Sequence, residues 1–108
     1  MKLVMGTFAA VALILSSQAY AAKVDMAAGQ ALAQKSGCMA CHTVDKKLVG
    51  PALNEIAKKY KGNKKAEAIL IAKVTKGGSG VWGTMAMPPN PAVKPADMKK
   101  LVEWVLAH

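Results

Sequence analysis

Five consecutive residues concentrate the reactive chemistry of this chain: Cys38, Met39, Ala40, Cys41 and His42. They spell C-x-x-C-H, the attachment sequence for a c-type haem. The spacing gives the reason. Two thiols three positions apart on a helical turn can each form a thioether to one of the two vinyl groups of a haem. The next residue then lies under the iron, where an imidazole nitrogen can bind as the proximal ligand. Other uses of two thiols fit less well. A thioredoxin-like dithiol sits beside a βαβ pattern, which the chain lacks. A structural zinc ion takes four ligands. The chain has two Cys and two His, but His42 adjoins Cys41, and His108 reads as a solvated end. A disulfide across two residues would close a tiny loop and restrain the unfolded chain little.

A haem iron has a second axial position. In an electron carrier its expected occupant is methionine, whose soft sulfur favours the reduced ion and raises the potential. Five methionines lie beyond residue 21. Met39 sits inside the attachment motif and cannot reach the opposite face. Met26 and Met98 fall on predicted helices, where core filling is the ordinary role. Met85 and Met87 remain, both in a Gly- and Pro-containing loop. Pro88 and Pro89 stiffen the backbone after Met87, which inclines the choice toward it while leaving Met85 open.

The elements that must position these groups read as helices. Residues 26–35 are Ala-rich and stop at Ser36-Gly37. Leu53, Ile56, Ala57 and Tyr60 follow the spacing of one helical face, ended by Gly62-Asn63. Residues 65–75 form a third helix with Ala66, Ile69, Leu70 and Val74 inward, ended by Gly77-Gly78. In the last helix Pro95 takes a first-turn position and Asp97 lies near the positive end. Met98, Leu101, Val102 and Val105 make its apolar stripe. No stretch alternates as a strand. Residues 77–91 form a loop that carries Trp82, Met85 and Met87 and needs something to pack against.

With 108 residues the chain reads as one domain preceded by an export signal. Lys2 is followed by an apolar run over residues 3–15, then Ala19-Tyr20-Ala21, the small-x-small form a signal peptidase reads. The expected division is a cleaved signal at residues 1–21, with Ala19 or Ala22 as alternative last residues, and a domain at 22–108. The apolar run is shorter than the roughly 20 residues of a membrane-spanning helix, so no stable membrane insertion is expected. A domain of this size gets only a few kcal/mol from its apolar core and benefits from a bound group. The net charge is +9, with every positive side chain a lysine. The lack of arginine argues against nucleic-acid reading, and the charge suits acidic protein surfaces. Lys46 and Lys47 follow the motif closely, and Lys58, Lys59, Lys61, Lys64 and Lys65 form a second basic cluster.

Three segments together closely resemble the small bacterial class I cytochromes c, in particular the short class ID type. They are residues 38–42, Val49-Gly50-Pro51, and Gly80-Val81-Trp82-Gly83 running to Met87-Pro88-Pro89-Asn90. The resemblance implies an all-α fold, about four helices wrapped around one covalently bound haem c, with the terminal helices crossing. It assigns Cys38 and Cys41 to attachment and His42 and Met87 to the iron. It implies that the Pro51 carbonyl accepts a hydrogen bond from His42. It sets Trp82 and Lys73 near a haem propionate and Asn90 beside the Met87 sulfur. Two departures stand out. The first helix lacks the family's usual aromatic residue, so Trp104 is expected to meet a thinner contact. Lys73 stands where arginine is frequent, so propionate pairing should be looser.

The implied function is periplasmic, non-enzymatic electron transfer by a monomer. The implied partners are redox proteins with acidic docking surfaces, such as a cytochrome bc complex, a terminal oxidase or a nitrite reductase. Two competing readings are a haem enzyme or gas sensor with an open sixth position, and a dithiol protein without haem. The first would want a polar distal group, and no distal His or Arg is evident.

Overall fold

The computed structural model describes residues 24–108. The expected signal at residues 1–21 lies outside them. Four helices form: α1 (Met26–Lys35), α2 (Leu53–Tyr60), α3 (Ala66–Lys76) and α4 (Pro95–Leu106). A single 3₁₀ turn, Cys38–Ala40, follows α1. The only strand-like pairing among the described residues is an isolated antiparallel bridge between Gly78 and Met87.

Local chemistry sets the helix ends. The Asp25 carboxylate accepts the Ala28 N–H at 3.0 Å and so caps α1. Pro95 opens α4, where its missing N–H costs no hydrogen bond, and Asp97 lies in the first turn. The first N–H groups of α2 are satisfied from outside the helix. Leu53 N–H donates to the Thr43 carbonyl at 2.9 Å and Asn54 N–H to that of Val44 at 3.0 Å. These bonds tie the start of α2 to the chain just after the Cys-His motif.

α4 packs against α1, α2 and α3. The core it organises contains Ala33, Leu53, Ile56, Leu70, Val102 and Trp104. Trp104, Leu101 and Val102 are the largest fully buried side chains. Such a side chain stabilises the fold by about 1.5–3 kcal/mol through removal from water.

Three expectations are corrected. Trp104 does not meet a thin contact: it is 2% exposed, and its ring lies directly against Gly29 of α1. Its indole N–H donates to the Met26 carbonyl at 3.0 Å. Absence of a side chain on α1, not an aromatic partner, lets the helices close. His108 is not a solvated end. Its ring stands edge-on to Trp104 at 4.6 Å between centroids, and its Nδ1–H donates to the Trp104 carbonyl at 2.8 Å, capping α4. Ile69 does not face inward. It is 41% exposed, because Ala66 and Leu70 fill the buried side of α3, with Ile71 partly buried against the core.

Candidate functional site

At the end of α1, Gly37 adopts a left-handed backbone (φ 79°), a conformation that side-chain-bearing residues avoid. The chain therefore turns sharply into the Cys-His motif. The N–H groups of Cys41 and His42 both reach the Cys38 carbonyl, at 3.2 and 3.1 Å. This single turn brings the Cys38 thiol, the Cys41 thiol and the His42 imidazole to one cavity of about 690 Å³.

The imidazole is fixed from two sides. His42 Nδ1 lies 2.7 Å from the Pro51 carbonyl. A carbonyl can only accept, so Nδ1 carries the proton and the Nε2 lone pair is left free for a metal. Gly50 lies under the ring, where a Cβ would come within 2.5 Å of His42 Cε1. The Gly50 N–H also donates to the Cys41 carbonyl at 2.7 Å, so loop and motif hold each other. Gly50→Ala is expected to push the ring off Pro51. An overpacking cost of about 1–3 kcal/mol should appear as a lower thermal midpoint. A midpoint unchanged from the parent would contradict the cradle.

The methionine loop is anchored on α3. Gly78 and Met87 exchange both backbone hydrogen bonds at 2.9 Å, and Asn90 N–H donates to the Val74 carbonyl at 2.9 Å. Gly77 has φ 69°, and a Cβ there would strike the Met87 carbonyl. Met85 and Met87 both line the cavity. Met87 is half-buried and pinned by its backbone, whereas Met85 is 68% exposed. Leu70, Leu101 and Val102 add apolar wall.

The remaining predicted residues divide. Trp82 and Lys73 line the cavity; Asn90 does not. Trp82 is 40% exposed, with the Lys59 ammonium 5.5 Å from its ring centroid, a cation–π distance. Lys47 reaches the cavity wall, while Lys46 is exposed in a turn closed by its N–H donating to Thr43 Oγ1 at 3.0 Å. Sequence reasoning missed the carboxylates of Asp45 and Glu55 on the lining. It also gave no sign that the Thr43 and Val44 carbonyls receive α2.

Burial pushes the Cys38 thiol up, with a backbone hydrogen bond pulling the other way. A dithiol nucleophile needs the reverse, a lowered value. No disulfide joins the two cysteines. The neutral nitrogen, the thioether sulfurs, the two thiols and the apolar wall of this cavity fit a haem.

Comparison with known proteins agrees with that geometry. The sequence-family profile described as cytochrome c matches residues 26–108. The chain belongs to the cytochrome c family. Cytochrome c-551 of Allochromatium vinosum is 53% identical over 75 residues, covering 69% of this chain and 80% of that protein. Cytochrome c-552 of Nitrosomonas europaea is 46% identical over 102 residues, covering 94% of this chain and 92% of that one. The crystal structure of wild-type Nitrosomonas europaea cytochrome c552 superposes with a TM-score of 0.69 at 49% identity, covering 71% of this chain and 95% of that structure. This cytochrome c thus has the all-α class I fold, carries haem c and transfers electrons; it is not an enzyme.

Proposed function

We infer that this cytochrome c is a periplasmic monohaem carrier that passes single electrons between respiratory proteins, with Cys38 and Cys41 holding the haem and His42 and Met87 its iron. One observation carries the reading: the thiols, the free Nε2 of His42 and the backbone-pinned Met87 line the same apolar cavity. Haem c supplies an iron that alternates between ferrous and ferric states. The chain's own contribution is to keep its donors still. Pro51 and Gly50 hold the imidazole, and Gly78 holds the Met87 backbone, so the same ligands suit both oxidation states and little reorganisation opposes transfer. Leu70, Leu101 and Val102 keep water off and so keep the site apolar.

Trp82 and Lys73 line the cavity, and an indole N–H and an ammonium suit them to haem carboxylates; Asn90, whose backbone is tied to the Val74 carbonyl, is the candidate neighbour of the Met87 sulfur. The leader at residues 1–21, cut after Ala21, would deliver the domain to the compartment where haem is attached. Among the described residues no helix is long and apolar enough to cross a membrane.

Mass spectrometry and absorption of protein secreted by a host with haem-attachment machinery test this reading. The expected product begins at Ala22, carries one haem mass and shows low-spin iron with sulfur ligation. A colourless product with two alkylatable thiols would end it.

The lysines predict a second behaviour. The only ion pair among the described residues is Lys99–Glu103 at 3.7 Å, so the other lysines there are free to act on approaching partners. Association with an acidic redox partner should slow on the order of tenfold or more as ionic strength rises from about 0.01 M to about 1 M, where the Debye length falls from about 30 Å to about 3 Å. Stopped-flow electron transfer reads this directly, and a flat profile would remove electrostatic steering.

A further inference from the structure

The outer side of α3 carries a second concavity of about 260 Å³. Ile69, Ala72, Lys73 and Lys76 line it from α3 at i, i+3, i+4 and i+7, one face of a helix. Val81 and Trp82 close it from the methionine loop. Two large apolar residues here are not core: Ile69 is 41% and Val81 50% exposed, and Trp82 lines the hollow beside them. Scattered exposed apolar residues need no explanation, but two gathered around one hollow do. Lysines surround them. Lys73 and Lys76 lie on the wall, and Lys59 reaches over the Trp82 ring. No carboxylate lines the groove, and none pairs with these three lysines among the described residues.

The groove and the haem cavity share a partition. Leu70, Lys73 and Trp82 line both. Whatever occupies the groove therefore sits one side chain away from the redox site.

We propose that this groove is a docking site for an acidic redox protein, which seats one apolar side chain between Ile69, Val81 and Trp82 and sets carboxylates against Lys59 and Lys76. The proposal deepens the carrier reading and rests on it. Charge selects the occupant. A second copy of this chain would bring its own excess of lysine against the same lysines. An acidic surface with an apolar centre satisfies both features, and this division into an apolar centre and a charged rim is how protein interfaces are built. None of residues 46–49 lines the groove, whereas Lys47 and Val49 line the haem cavity, so the groove gives the carrier a second contact face with Trp82 as its wall.

The probe is a blocked pentapeptide with one leucine between two pairs of glutamates, titrated into the ¹⁵N-labelled ferrous holoprotein. Amide shifts should centre on Ile69, Ala72, Lys76 and Val81, together with the Trp82 indole N–H. Ile69→Ser should weaken binding about fivefold through lost apolar burial. Replacing the peptide's leucine by glycine should do the same, and the two changes together should cost no more than either alone. Shifts centred on residues 46–49, shifts spread over all lysines, or binding indifferent to both changes would overturn the proposal. The absorption spectrum of the same sample reports the iron ligands. A colourless or high-spin sample fails the carrier reading itself, whereas a low-spin sample whose groove ignores the peptide fails the docking site alone.

Discussion

Met87→Ala is expected to open the iron, giving ferric protein that has lost the weak red absorption of sulfur ligation and binds added imidazole about 10- to 1,000-fold more tightly than the parent. The magnitude follows from competition. An outside ligand can bind the parent only in the fraction of molecules whose own ligand has swung away. A minor state of that kind is typically populated at about 0.1–10%, and apparent affinity is reduced by that fraction. Met85→Ala is the paired control. Its side chain is 68% exposed, so its loss should leave spectrum and imidazole affinity unchanged. The two variants separate the candidates cleanly: if Met85→Ala opened the iron and Met87→Ala did not, the ligand assignment would be reversed. The backbone explains the asymmetry. Met87 exchanges two hydrogen bonds with Gly78, so its side chain starts from a fixed point, and fixing it costs little further entropy on ligation.

That same bridge shows where the sequence stops being readable. The attachment motif is local: five contiguous residues make one turn, and type and spacing suffice to recognise it. Helix α1 was legible to the residue at Met26–Lys35 because Ser36-Gly37 ends it chemically. The choice between Met85 and Met87 was not legible from their own chemistry. It depends on a partner, Gly78, nine residues before Met87, and on Val74 holding Asn90 beyond it. The resemblance to class I cytochromes pointed to Met87; the pairing supports it for a physical reason. Ile69 failed differently. Helical spacing identifies a face but not its width, and here the apolar arc of α3 is wider than the core it covers, leaving Ile69 for the groove. His108 was misjudged because a terminal position says nothing about whether the ring folds back onto Trp104.

The contact most hidden from the sequence was the crossing of α1 and α4, because half of it is a missing side chain. Gly29→Ala tests it through opposing terms. Alanine in place of glycine inside a helix favours folding by roughly 1 kcal/mol. Against this, the new Cβ would meet Trp104 Cδ1, Cγ and Cβ closer than real contacts allow. Trp104 Cβ is bonded to the α4 backbone and cannot swing aside, so the helices must part, and overpacking of this kind costs about 1–3 kcal/mol, occasionally more. The overlap should win, lowering the thermal midpoint of the holoprotein. Trp104→Ala alone should cost about 3–5 kcal/mol, since it empties a fully buried site and removes the hydrogen bond from the indole N–H to the Met26 carbonyl. The decisive measurement is the double variant. With the indole gone, the overlaps with Cγ and Cδ1 vanish while the one with the Cβ of residue 104 remains, so Gly29→Ala should cost clearly less in the Trp104→Ala background than in the parent. Strictly additive effects across that cycle would mean that the two residues do not touch in the way the crossing requires.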